Sequence, residues 1–168
     1  MQELTKLDFP EYTFRVRQAK RGTEIFDVIR KKFVALTPEE WVRQHTIHFL
    51  NRERRIPMSM MNVEVALEML NLARRADIVV FNHLGEPAAI VECKAPTVKI
   101  TQETFDQIAR YNMTLKAPYL IVTNGLSHFC CYTDLEKQTC HFIEEIPDYQ
   151  AMKTVIKKSV SLPHIFKE

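Results

Sequence analysis

Glycine is scarce in this chain: only Gly22, Gly85 and Gly125 occur among 168 residues, and they stand far apart. A phosphate-cradling loop needs glycines clustered before a helix, so no nucleotide-binding loop can be assembled and ATP hydrolysis is excluded. Long apolar runs are missing too. No stretch approaches the roughly 18 residues of a membrane-spanning helix, so no membrane partner is expected. The opening Met1-Gln2-Glu3-Leu4-Thr5-Lys6 lacks the apolar heart of a secretory signal, and a cytoplasmic location is the simplest expectation. The four cysteines, Cys93, Cys130, Cys131 and Cys140, contain no Cys-x-x-Cys pair. Adjacent Cys130 and Cys131 point to opposite faces of a strand. A zinc site completed by His128 and His141 is therefore disfavoured, and buried free thiols are expected in a reducing compartment.

What remains describes an ordinary globular chain. At 46% hydrophobic residues over 168 positions, with no repeat or low-complexity stretch, it can bury a substantial core. Periodicity predicts a helix near 38–54, strands near 63–68, 77–81 and 88–94, and a helix near 101–115. Strands near 119–123, 128–133 and 140–143 follow. The packing expected is a single α/β domain over 1–168, a mixed sheet with helices on its faces. It carries an N-terminal β-hairpin extension at about 8–30 and a C-terminal helix at about 148–158. In that last helix Met152, Val155 and Ile156 face inward, and Lys153, Lys157 and Lys158 face outward.

Chemistry concentrates between residues 77 and 94. Asp77-Ile-Val-Val-Phe and Ala88-Ala-Ile-Val-Glu-Cys93 are β-rich runs around a segment holding Gly85 and Pro87, which reads as a hairpin. An even-length loop centred on Leu84-Gly85 sets Asp77 across from Glu92. Alternation then puts Glu92 and Lys94 on one face and the Cys93 side chain on the other. Two facing carboxylates repel unless a cation lies between them, and Mg²⁺ favours such oxygen ligands while keeping several waters. Lys94 adds a positive charge able to steady a developing phosphorane, and the Cys93 backbone carbonyl is a further possible ligand. A plainer alternative is a structural Asp77–Lys94 ion pair with Glu92 solvated. In the following helix, Gln107 and Tyr111 are four apart and share one flank, where they either touch phosphate oxygens or decorate the surface.

Arg75-Ala76-Asp77, Val91-Glu92-Cys93-Lys94-Ala95-Pro96 and Gln107-x-x-x-Tyr111, in this order and spacing, resemble the PD-(D/E)xK nuclease superfamily in its Gln-x-x-x-Tyr branch. More narrowly, the chain resembles the N-terminal nuclease domain of type I restriction subunits. Leu36 to His45, Asp106 to Asn112 and Tyr119 to Gly125 extend the likeness over roughly residues 25 to 135. The resemblance implies a restriction-endonuclease-like mixed β-sheet flanked by helices and a Mg²⁺-dependent DNA endonuclease, with Mn²⁺ as a substitute. It implies Asp77 and Glu92 as metal ligands with the Cys93 carbonyl, Lys94 as catalytic lysine, and Gln107 and Tyr111 as active-site support. Glu40 matches the acid of the first helix that completes the metal site in many relatives. A second reading of Glu40 is local: Thr37-Pro38-Glu39-Glu40 is a capping box in which Glu40 reaches back to Thr37.

Type I restriction subunits continue into a helicase motor, and this sequence stops at Glu168. The expected partners are therefore DNA and a separate restriction-modification or helicase subunit. The alternative is a catalytically silent nucleic-acid- or protein-binding module that keeps the nuclease fold. Charge is uneven: residues 1–60 hold twelve Lys/Arg against eight Asp/Glu, and the rest holds eleven against thirteen. Arg15, Arg17, Lys20 and Arg21, then Arg30-Lys31-Lys32, form either a grip on duplex phosphates or a solvated basic face.

Overall fold

The computed structural model describes residues 4–159 apart from 70, 71, 135 and 138. A three-stranded antiparallel sheet comes first, β1 (Val16–Ala19), β2 (Gly22–Asp27) and β3 (Lys32–Ala35). The expected hairpin thus gains a third strand, which only four residues between Lys31 and Leu36 build. The Asp27 carboxylate closes the turn before it, accepting the N–H groups of Ile29 and Arg30 at 2.8 Å each.

Helix α1 (Pro38–Arg52) starts where sequence chemistry places it. Thr37 caps it, its Oγ1 accepting the Glu40 N–H at 3.0 Å, and Pro38 occupies the first helical position, where its missing N–H costs nothing. A 3-10 turn at Met58–Met60 then leads into β4 (Met61–Met69) and β5 (Leu72–Phe81). β5 begins five residues before the strand expected at 77. Its added part pairs with β4 to complete a long two-stranded ribbon, and such pairing does not require the apolar alternation by which a strand is recognised.

β6 (Pro87–Cys93) pairs with β5 in the expected register: Ile78 faces Val91, Val79 faces Ile90 and Val80 faces Ala89. A shift between Val80 and Phe81 brings Phe81 opposite Pro87. The hairpin is closed by Asn82, whose Oδ1 accepts the N–H groups of Leu84 and Glu86 at 2.9 Å each.

Helix α2 (Gln102–Leu115) carries the chain across the sheet to β7 (Tyr119–Thr123), parallel to β6, and β8 (His128–Asp134) and β9 (Thr139–Ile143) add antiparallel strands. The sheet order is β4-β5-β6-β7-β8-β9. Central β6 and β7 are buried on both faces. One face, with Val91, Cys93, Ile121 and Cys130, packs under Val42, Ile47 and Leu50 of α1 and Met152 of α3 (Tyr149–Ser159). The other, with Ile90, Leu120, Val122 and Cys131, packs under Ile108 of α2. Cys130 and Cys131 therefore face opposite ways, as adjacency dictates. Met152 is buried, while the side chains of Val155, Ile156, Lys157 and Lys158 lie outside the described residues. Among the described residues no helix is long and apolar enough to cross a membrane.

The N-terminal segment is strapped over α1. Phe9 packs on the rings of His45, Phe49 and His128, and Phe14 on Trp41, His45 and His48. Burial lowers the pKa of both His45 and His48, which keeps them neutral inside this apolar cluster. The strap is tied at Gly125, whose carbonyl accepts the Asp8 N–H at 2.7 Å. Gly125 sits at φ +83, and an added Cβ would lie 2.7 Å from Leu7 Cδ2. Gly125→Ala is expected to cost about 1 to 3 kcal/mol, from left-handed strain and displacement of Leu7. Urea unfolding followed by tryptophan fluorescence checks this, since the single Trp41 lies beneath the strap; an unchanged midpoint would remove Gly125 from that role.

Candidate active site

Alternation along β6 fixes the first half of the site. Val91 and Cys93 point toward α1, so Glu92 points to the α2 side, next to Ile90. Glu92 is only 5% exposed, and its Oε1 accepts from Lys94 Nζ at 2.7 Å. Its Oε2 is buried with no hydrogen-bond partner among the described residues. A bare buried carboxylate oxygen is costly and is the feature most in need of a ligand. Burial, then the charge of Asp77, push the Glu92 pKa up to about 7, against the pull of Lys94. Lys94 lies above its ordinary value: burial opposes its charge, but the Glu92 bond and the charges of Glu92, Asp77 and Glu39 outweigh it. The structural pair of Asp77 with Lys94 is therefore not formed; Lys94 is held by a buried Glu92.

Asp77, 8% exposed, is held by two other groups. Its Oδ2 accepts the Cys93 N–H at 2.7 Å, and its Oδ1 takes Arg43 Nη2 at 2.6 Å. The neighbouring strand is irregular here. β4 keeps its register at Val63–Ile78 and Val65–Ala76, and between them Glu64 adopts φ 50. That left-handed residue is a strain of about 1 kcal/mol or more, of the kind that re-aims a side chain beside a site. The Glu64 carboxylate reaches Arg30 at 3.0 Å, Arg43 at 3.5 Å and Arg75 at 3.7 Å.

Arg43 was not singled out from sequence, yet it organises this cluster. It is 6% exposed and bridges Asp77 to Glu40, with Nη1 at 2.6 Å from Glu40 Oε2. Burial alone would weaken its charge; Asp77 and Glu40 more than restore it and raise its pKa. Glu40 also takes Arg30 Nη2 at 3.0 Å and Gln44 Nε2 at 2.9 Å. The capping-box expectation is thus half corrected. Thr37 caps the helix, but its N–H goes to the Ala35 carbonyl, and the Glu40 carboxylate turns inward because two guanidinium groups attract it. Arg30 likewise is no surface cation: it is enclosed by Asp27, Glu40 and Glu64.

The helix-1 acid on the open side is Glu39. Its carboxylate lies 3.5 Å from Arg43, and its pKa is raised by burial and then by Asp77, while Arg43 and Lys94 lower it. Part of the Arg43 role was present as spacing: Arg43 is three and four residues after Glu40 and Glu39, one α-helical turn. Gln107 is half-buried on α2, on the Glu92 side of the sheet, and the Tyr111 side chain lies outside the described residues.

Six carboxylates (Asp27, Glu39, Glu40, Glu64, Asp77 and Glu92) meet four cations, Arg30, Arg43, Arg75 and Lys94.

Residues 38–147 match the family described as type I restriction enzyme R protein N terminus, and the chain belongs to that family. Membership supports a nuclease-like role in a restriction system. Among solved structures, a fragment assigned as the HsdR subunit of a type I restriction enzyme from Vibrio vulnificus aligns over 74% of this chain with a TM-score of 0.55. At 16% identity that likeness shows the shared fold, an α/β mixed sheet flanked by helices. The chain spans about a quarter of that structure's length, 26%. No curated protein matches it.

Two outcomes are expected of this cluster. Arg43→Met leaves Asp77 and Glu40 without their shared cation and should cost about 3 kcal/mol at neutral pH. Urea midpoints that do not differ from the parent at pH 7 would show the bridge to be idle. In metal-free buffer Glu92 binds its proton more tightly folded than unfolded, so between pH 4.5 and about 7 the folded state holds more protons. Stability should fall as pH rises through that window and level off above it, by on the order of 3 kcal/mol. Glu92→Gln should remove this component and be the more stable form at pH 8; parallel slopes for parent and variant would contradict the assignment.

Proposed function

We propose that this chain is a Mg²⁺-dependent DNA endonuclease domain. The observation that carries the reading is the buried, unpartnered Oε2 of Glu92 on a strand whose register sets it against Asp77. Asp77, Glu92 and the Cys93 backbone carbonyl would hold the ion. No group of three His, Cys, Asp or Glu side chains that could hold a metal occurs among the described residues. Two carboxylates and a carbonyl, with water and substrate oxygens completing the shell, is what Mg²⁺ accepts. Glu40 stands behind Arg43 and would act on Asp77 through that guanidinium. Bound there, the ion would offset charge on the scissile phosphate and acidify a water; Mn²⁺ would serve similarly.

The chain's own residues do the rest. The Cys93 N–H and Arg43 fix the Asp77 carboxylate from two directions. Lys94, kept protonated by Glu92, presents a cation toward the charge that builds on the phosphate. Gln107 and Tyr111 on α2 would contact phosphate oxygens from the Glu92 side. Partners follow from the family: DNA, and a restriction-modification or helicase subunit that moves it.

One observation favours a second reading. Arg43 already neutralises Asp77 and Glu40 without any metal, so a silent DNA- or protein-binding module with this fold is physically consistent. Supercoiled plasmid separates the two. Nicking with Mg²⁺ or Mn²⁺ is expected, with none in EDTA, and Asp77→Ala and Lys94→Ala should each lower the rate about 100-fold or more. A folded parent that leaves plasmid intact at saturating protein and metal would establish the silent reading.

A further inference from the structure

The three-stranded sheet β1–β3 ends at Ala35, before the family match begins at residue 38. Residues 15–35 carry seven Lys/Arg against two Asp/Glu, while the whole chain is only +2, so the remainder is net negative. We propose that the outer face and both turns of this sheet form a binding surface for the sugar-phosphate backbone of duplex DNA.

The geometry is ordered. Asp27 and Ile25 of β2 point inward and are buried; Glu24 and Phe26 point outward. Cross-strand pairing sets Arg17 beside Glu24 and Phe26 beside Phe33 on that outer face. The Arg15 guanidinium lies 4.4 Å from the Phe26 centroid and 5.6 Å from Phe33, and that of Arg17 lies 4.0 Å from Phe33. Both cations are thereby braced on rings, which lowers the entropy lost when they meet a phosphate. Lys20 and Arg21 rim the β1–β2 turn, and Lys31 and Lys32 rim the opposite turn, all exposed and without an ion pair among the described residues. Glu24, half-buried, is the one acid on the outer face of the sheet and is already paired with Arg17 at 2.7 Å. At about 3.4 Å per residue the six residues of β2 stretch this stripe over about 20 Å. A duplex presents on the order of a dozen charges along that length.

The chemistry points to phosphates and away from bases, because Phe26 and Phe33 are half-buried beneath arginines and offer no free ring to stack on. Placement points the same way. Arg30 sits in the turn with Lys31 and Lys32 and faces inward to Glu40 at 3.0 Å; Glu40 meets Arg43, and Arg43 meets Asp77, at 2.6 Å each. Three ion pairs connect the basic turn to the candidate catalytic carboxylate.

The identity of the polyanion rests on the nuclease reading, so the test reads binding without cleavage. Fluorescence anisotropy with a short labelled duplex in EDTA, across a potassium chloride series, compares the parent with a Lys20→Gln, Arg21→Gln, Lys31→Gln, Lys32→Gln variant. A control removes four charges elsewhere: Lys6→Gln, Arg55→Gln, Lys116→Gln and Lys137→Gln. The sheet variant should bind about tenfold or more weakly, with the slope of log affinity against log salt shallower by about 3, and the control should stay near the parent. Equal affinity and slope for parent and sheet variant would overturn the proposal, as would a parent that binds no duplex. Loss of binding to poly-glutamate with duplex binding intact would also overturn it, assigning the surface to an acidic protein. A protein that binds but never nicks sinks the endonuclease and leaves this surface standing; nicking with an unaffected sheet variant does the reverse.

Discussion

Negative charge packed where water cannot reach it is the constraint around which this molecule is arranged. Asp77, Glu92 and Glu40 are each less than 10% exposed and lie at the meeting point of β5, β6 and α1. A carboxylate loses several kcal/mol on leaving water unless charges or hydrogen bonds replace its hydration. Arg43, Arg30 and Lys94 supply most of that replacement, and the Cys93 N–H supplies one more bond. The compensation stops short at Glu92 Oε2. Among the described residues Arg43 Nε and Gln44 Oε1 of the same cluster are likewise buried without a partner, and burial beside Asp77 raises the proton affinity of Glu92.

The fold makes such a cluster affordable in structural terms. Parallel pairing of β6 with β7, connected through α2, buries the centre of the sheet on both faces, so the end of β6 emerges from a rigid block. Thr37 and Pro38 start α1 at one defined residue, which sets Glu39, Glu40 and Arg43 on the turn that meets Asp77. The left-handed Glu64 turns a third carboxylate toward the same arginines from β4. The carboxylates of the site are therefore carried by α1, β4, β5 and β6, while Arg30 lies in the β2–β3 turn and Lys94 directly follows β6.

The small N-terminal sheet is joined to this centre by Arg30 and is otherwise chemically opposite to it, cationic and exposed where the site is anionic and enclosed. Family membership spans the enclosed part, residues 38–147, and the cationic sheet lies just before it.

Local physics made much of this readable in advance. The β5–β6 register was read from alternation and an even loop, both short-range properties; the strands keep it from Ile78–Val91 to Val80–Ala89, although a shift at Val80–Phe81 replaces the even loop. Strand β7 and the start of α1 follow equally from apolar runs and a Thr-Pro cap. Ion pairs across the chain do not. Arg43 and Asp77 are 34 residues apart, and a cation's partner depends on which carboxylates the folded chain brings within about 4 Å, which no periodicity encodes. Hence Glu40 read equally as a metal ligand or a cap, Arg30 as a surface charge and β3 as loop, until packing turned the first two inward and paired the third. The sequence determined which residues carry the chemistry on one hairpin; the tertiary structure decided which charges surround it, because electrostatic neighbours are set by distance in space.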